Sequence, residues 1–140
     1  MSVVNHVGLC VTDLDRSRRF YVEALGFAHR NHLQVLDAAA SRLLRVPEPV
    51  GLTAVYLELG GFVLELLHFG REGNASGRDR SFTEPGLTHL SFSVPDLAAT
   101  CDRIAALGGE VLADTDVGGH AILVRDPDGQ LLELMPLATR

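Results

Sequence analysis

The sequence predicts an α+β protein made of two βαβββ modules, and three observations predict it. The chain repeats itself: NHVGLCVTDLDRSRRFYVEALGF (5–27) aligns with THLSFSVPDLAATCDRIAALGGE (88–110). His6 falls on His89 and Asp13 on Asp96 at an offset of 83, and Leu25-Gly26 then falls on Leu107-Gly108 after one lost residue. The ends of the halves repeat as well, GFVLELL (61–67) against GQLLELM (129–135), so that Glu65 falls on Glu133. Finally, two-residue and helical periodicities follow one another in the same order in each half, as a duplicated supersecondary unit requires.

Each element has a local cause. Residues 3–11 are rich in β-branched side chains and read as a strand. Thr12 or Asp13 caps a helix to Ala24, with Leu14, Tyr21 and Ala24 or Leu25 as its apolar stripe and Gly26 ending it in a left-handed turn. Residues 27–35 form a weaker, polar strand. Residues 37–50 are ambiguous: 38–44 can turn helically, but Pro47 and Pro49 forbid a long helix. Strands at 52–59 and 62–69 flank Gly60-Gly61, the signature of a two-residue hairpin, which would pair Leu59 with Phe62, Leu57 with Leu64 and Tyr56 with Glu65. Module one therefore covers about 1–70, a polar and mobile linker 71–86, and module two about 87–140.

In module two, 86–94 reads as a strand and Pro95-Asp96 starts a helix through Leu107, with Leu97, Cys101 and Ile104 inward and Gly108-Gly109 after it. Short strands follow at 110–113, 119–125 and 130–135, the last two joined by Asp126-Pro127-Asp128-Gly129. Pairing Arg125 with Gln130 across that turn would set Ile122 opposite Glu133 and put His120 on the Glu133 face.

Side chains alternate across a strand. Val7, Leu9 and Val11, and in the copy Leu90, Phe92 and Val94, form large apolar faces suited to a helix. The opposite faces carry His6, Gly8, Cys10 and His89, Ser91, Ser93, small apart from the histidines, as cavity-lining residues are. Glu65 and Glu133 sit inside apolar runs, where an unpaired carboxylate is costly to bury. Two imidazoles and two carboxylates repeated two by two are explained together if they hold one cation: His6, Glu65, His89 and Glu133 are the expected metal ligands.

Composition excludes several classes. Hydrophobic content of 46% and charged content of 21% are those of an ordinary globular domain. A net charge of −6 without a basic run argues against nucleic acid. There is no signal-like stretch and no apolar run of membrane-spanning length, so no membrane partner is expected. Cys10 and Cys101 lack CxxC spacing and suit a reducing, cytoplasmic setting.

The segments 5–27, FVLELL, THLSFSV and VRDPDGQLLEL together resemble the vicinal oxygen chelate superfamily: glyoxalase I, methylmalonyl-CoA epimerase, extradiol dioxygenases, and fosfomycin- and bleomycin-resistance proteins. The resemblance implies curved mixed sheets around a metal cavity, and a homodimer. It implies the full glyoxalase I ligand set at His6, Glu65, His89 and Glu133, whereas the epimerases usually carry Gln at the Glu65 position and a catalytic acid near Ala54 that this chain lacks. The implied activity is that of a metal-dependent lyase or isomerase acting on a small carbonyl compound or its thiol adduct through an enediolate, with Glu133 as base. Mixed nitrogen and oxygen ligands accept Ni, Co, Zn, Mn or Fe(II). The alternatives are an extradiol ring-cleaving dioxygenase, which leaves the Glu65 position unligated, and a ligand-sequestering bleomycin-resistance-like protein, which has no catalytic metal.

Beyond the four ligands, His120 is the second catalytic candidate. Tyr56, opposite Glu65, either bonds a ligand or fills the wall, and Glu58 falls at the rim of that face. Arg71, Arg78 and Arg80 are candidates for an anionic substrate group. Cys10 reads as a wall residue, His68 as facing away from Glu65, and His29 and His32 as solvated.

Overall fold

The computed structural model describes residues 1–138; the last two residues of module two lie outside the described residues. The chain divides into two compact units, Met1–Val22 with Gly26–Ala75, and Ser76–Arg140 with Glu23–Leu25. Each carries a four-stranded mixed sheet, and with three helices among the described residues the fold is α+β.

The first unit runs β1 (Val7–Cys10), α1 (Leu14–Leu25), β2 (Ala28–Gln34), α2 (Asp37–Leu44), β3 (Leu52–Leu59) and β4 (Phe62–Phe69), in sheet order β1-β4-β3-β2. Asp13 caps α1 by accepting from the Arg16 amide at 3.0 Å, and Gly26 ends it at φ 85°. The ambiguous segment is a real helix, which Arg45 stops in the left-handed region at φ 56°. The hairpin register is the expected one: Leu59 pairs with Phe62, Leu57 with Leu64 and Tyr56 with Glu65. Parallel pairing of β1 with β4 sets Gly8 beside Glu65. One face of the sheet is therefore apolar, with Leu57, Leu64 and Leu66 fully buried. Rings link α1 to β4 through Tyr21 on Phe27 at 5.7 Å and Phe27 on Phe62 at 6.4 Å. Burying each large side chain stabilises by roughly 1.5–3 kcal/mol against exposure.

The second unit runs β5 (Leu90–Val94), α3 (Leu97–Ala106), β6 (Glu110–Val111), a single 3-10 turn (Ala113–Thr115), β7 (Ile122–Arg125) and β8 (Leu131–Pro136), in sheet order β5-β8-β7-β6. Asp96 caps α3 as Asp13 caps α1, accepting from the Ala99 amide at 2.9 Å.

Four expectations are corrected. The first strand begins at Val7 rather than residue 3, because Val7 pairs with Leu64 and β4 itself begins two residues earlier. Residues before Asn5 thus run past the end of their partner, and Val3 and Val4 are exposed. The β5 strand begins at Leu90 for the same reason, leaving His6 and His89 just ahead of their strands. The β6 strand is only two residues long, since the Thr115 hydroxyl accepts from the Leu123 amide at 2.9 Å and takes the place of a ladder bond.

The last correction concerns register. Leu123, not Ile122, stands opposite Glu133, and Arg125 pairs with Leu131. Asp126 closes the turn with Gln130: its amide donates to the Gln130 carbonyl at 3.0 Å and its Oδ1 accepts from the Asp128 and Gln130 amides at 2.9 Å. His120 therefore does not share a strand face with Glu133; it lies exposed in the turn before β7.

Candidate metal and catalytic site

In the first unit the strand β1 brings His6 to the edge of the Glu65 face. Because Gly8 lies beside Glu65, His6, two residues earlier, points to the same side. Its Nε2 stands 3.2 Å from Glu65 Oε2, and the Tyr56 ring meets the imidazole edge-on at 5.7 Å. Glu65 is only 8% exposed, so a bare carboxylate there would lose several kcal/mol of hydration. Tyr56 relieves part of that cost by donating its phenol proton to Glu65. This bond, then burial, then the Glu65 charge push the phenol pKa up to about 12, so Tyr56 remains a proton donor throughout the neutral range.

The second unit builds the same pair with different supports. His89 Nε2 stands 3.9 Å from Glu133 Oε1, and the Ser91 hydroxyl donates to that oxygen at 2.7 Å. Phe82 lies 5.3 Å from the His89 ring.

The donor sets fit a divalent cation. In both units the residue before the histidine holds Nδ1: Asn5 Oδ1 lies 2.6 Å from that atom of His6, and Thr88 Oγ1 lies 2.8 Å from that of His89. A bonded Nδ1–H leaves the Nε2 lone pair free, and such outer bonds are how metal-binding histidines are usually oriented. Ligand bonds of about 2.0–2.2 Å put neighbouring donor atoms about 3.0–3.5 Å apart on one ion. The His6–Glu65 spacing of 3.2 Å matches that without movement, and the His89–Glu133 spacing of 3.9 Å needs a small closing. Among the described residues, no three His, Cys, Asp or Glu groups are gathered into a site, and each unit supplies two donors.

The remaining candidates are placed plainly. Arg71 donates to the Pro47 carbonyl at 2.8 Å, Arg78 pairs with Glu84 at 2.9 Å, and Arg80 donates to the carbonyls of Leu87 and Pro85, each at 2.9 Å. All three arginines are thus bonded within the chain. The Arg78 bond, and then the Ser81 amide, hold Glu84 below its ordinary carboxylate range. Glu58 pairs with Arg30 at 3.8 Å. His68 faces away from Glu65, and His29 and His32 are exposed on β2. Cys10 forms no disulfide and lies on the Glu65 face of β1. A cavity of about 300 Å³ adjoins the first pair, lined by Asn5, Arg30, Asn31, Leu33, Tyr56 and Val63.

Sequence reasoning missed Asn5, Thr88 and Ser91. The signal was present in the repeat, since Asn5 and Thr88 occupy equivalent positions and both can hydrogen-bond.

A family model described as the Glyoxalase/Bleomycin resistance protein/Dioxygenase superfamily matches residues 3–134. The chain belongs to this superfamily. Within the glyoxalase superfamily it is 34% identical over 143 residues to a lactoylglutathione lyase of Pseudomonas aeruginosa, an alignment covering 95% of this chain and 81% of that one. Among solved structures, a glyoxalase family protein from Bacillus cereus shares the fold at a TM-score of 0.80 and 19% identity, covering 95% of this chain and 92% of the other. Glyoxalase I of Leishmania major, described as trypanothione-dependent, is similar at a TM-score of 0.66 and 27% identity, covering 94% and 84%.

Proposed function

We propose that this protein is a metal-dependent isomerising lyase of the glyoxalase I type, acting on the adduct of a small 2-oxoaldehyde with a thiol such as glutathione. The observation that carries the reading is the duplicated His/Glu pair, with Nδ1 of each imidazole held from outside and Nε2 turned to a carboxylate. The names of the lactoylglutathione lyase and thiol-dependent glyoxalase relatives support the substrate class.

His6, Glu65, His89 and Glu133 would hold one divalent cation, Ni, Co, Zn, Mn or Fe(II), either within one chain or across a homodimer. When bound, such an ion supplies Lewis-acid stabilisation of negative charge developing on vicinal substrate oxygens. Glu133 is the base. Ser91 holds its Oε1, so Oε2 is the oxygen that takes the proton from the hydroxyl-bearing carbon. The same oxygen returns that proton to the neighbouring carbon, and the hydroxyl proton passes to that carbon's oxygen, so the first carbon, which also bears the thiol sulfur, becomes the thioester carbonyl. The step is an isomerisation, in which no atom is gained and no outside oxidant is consumed. Glu65, pinned by the Tyr56 phenol, stays in place throughout. The polar wall of Asn5, Arg30 and Asn31 beside Tyr56 suits the oxygen-rich part of such an adduct. Cys10 and Cys101 form no disulfide, which accords with a reducing, cytoplasmic setting where thiol substrates persist.

The test is metal analysis of the purified protein, then thioester formation from the hemithioacetal of glutathione with a three-carbon 2-oxoaldehyde. Activity lost to a chelator and regained with one of these five ions is the expected result. Protein loaded with each ion that yields no thioester would sink the reading, and iron-dependent oxygen uptake with a catechol would replace it with ring cleavage.

A further inference from the structure

The duplication that repeats the histidines and glutamates does not repeat the hydroxyl groups that hold the carboxylates. Glu65 has Gly8 beside it on the parallel neighbour and Tyr56 on the antiparallel one. Glu133 has Ser91 and Leu123 in those places. Glycine and leucine side chains carry no donor, so each carboxylate receives one hydroxyl from its neighbouring strands: Tyr56 for Glu65 and Ser91 for Glu133. The two bonds come from opposite sides of the central strands. Their settings differ too, with the Glu65 side chain 10% exposed and that of Glu133 30% exposed.

We propose that Tyr56 and Ser91 are positioning residues, each fixing by one hydrogen bond which oxygen of its carboxylate faces the paired imidazole. The proposal rests on the reading of these four residues as ligands of a cation. Tyr56 makes Glu65 the rigid member of the set. Its carboxylate is enclosed, so no water takes over when the phenol is removed. Ser91 holds one oxygen of a more open carboxylate, leaving the other free to turn, and there a water molecule substitutes for a lost hydroxyl at little cost. Outer partners of metal ligands typically change affinity by about 10–100-fold. The enclosed bond belongs in that range and the open one below it.

The experiment is calorimetric titration of metal-free protein with Zn²⁺, for wild type, Tyr56→Phe, Ser91→Ala and Ser91→Thr, with thermal melts of each metal-free form. Tyr56→Phe is expected to weaken binding by about 10–100-fold. Ser91→Ala is expected to weaken it by less than about tenfold, and Ser91→Thr, which keeps the hydroxyl, to restore wild-type binding. A merely structural role would lower the melting temperature of the metal-free variants and leave Zn²⁺ affinity unchanged, and that result overturns the proposal. So does an equal loss in Tyr56→Phe and Ser91→Ala. Should Tyr56→Phe not fold, the two Ser91 variants decide: Ser91→Thr binding no better than Ser91→Ala overturns the hydroxyl's role. Wild type that takes up no cation overturns the metal reading and this proposal together, whereas wild type that binds while every variant binds as well overturns this proposal alone.

Discussion

Glu65 and Glu133 occupy equivalent positions in a duplicated unit, yet their surroundings assign them different work. Glu65 is enclosed and bonded by a phenol, while Glu133 is three times more open and bonded through one oxygen. Glu133→Gln keeps an oxygen for a cation and for Ser91 but has no site for a proton. It should therefore retain metal and lose turnover by roughly 10²–10⁴-fold. Glu65→Gln keeps an oxygen for the Tyr56 donor, and its loss should be about tenfold or less. Steady-state rates beside metal content check both, and equal losses would refute the division. At this scale the two His/Glu pairings were legible because the repeat marks them twice. Asn5, Thr88 and Ser91 were harder to see, since the duplication keeps their positions and changes their chemistry: Asn5 against Thr88, Gly8 against Ser91. His120 was misplaced because its assignment depended on a turn and not on the repeat.

Helix ends carry the clearest local signals. Asp13 and Asp96 share the same extended backbone, φ −136° and ψ 105°, and each accepts from an amide three residues on. Replacing either by Ala should cost about 0.5–2 kcal/mol, and by Asn far less, measured by urea denaturation of each variant. A cost below about 0.3 kcal/mol for the Ala variants would show that packing alone sets where these helices start. Turn chemistry explains which registers could be read. Gly60 and Gly61, with φ 56° and 84°, make a two-residue turn that leaves one way to close the hairpin. In the second unit Asp126 closes the turn with its own backbone and side chain, which shifts the pairing by one residue and turns Leu123 toward Glu133. A shift of one residue exchanges strand faces, so His120 loses its place beside Glu133. The α2 helix was half legible for a related reason: Ala38–Leu44 favours a helix, but only the left-handed Arg45 shows where it stops.

The two units also mirror one another in ways that are not simple copies. Arg30 on β2 pairs with Glu58 on β3, whereas Glu110 on β6 pairs with Arg125 on β7, so the same cross-strand contact recurs with its charges exchanged. Each unit offers two donors, and a divalent ion in a protein site takes at least four ligands, with solvent or substrate completing the set. A site using all four protein donors must therefore draw on one first module and one second module, which requires one ion per chain whether the modules come from one chain or two. Several large apolar side chains remain in solvent, among them Val3, Val4, Leu36 and Leu43, the last two each 81% exposed. The family resemblance implies a homodimer, and the expected assembly carries one ion per chain. Light scattering behind size exclusion should give twice the 15.1 kDa chain mass at micromolar concentration, with metal analysis of the same peak giving the stoichiometry. A metal-bearing monomer would overturn the dimer while leaving the four ligands standing. A dimer that binds one ion for every two chains would instead show that a single His/Glu pair from each chain suffices, and that the second pair in each chain has another use.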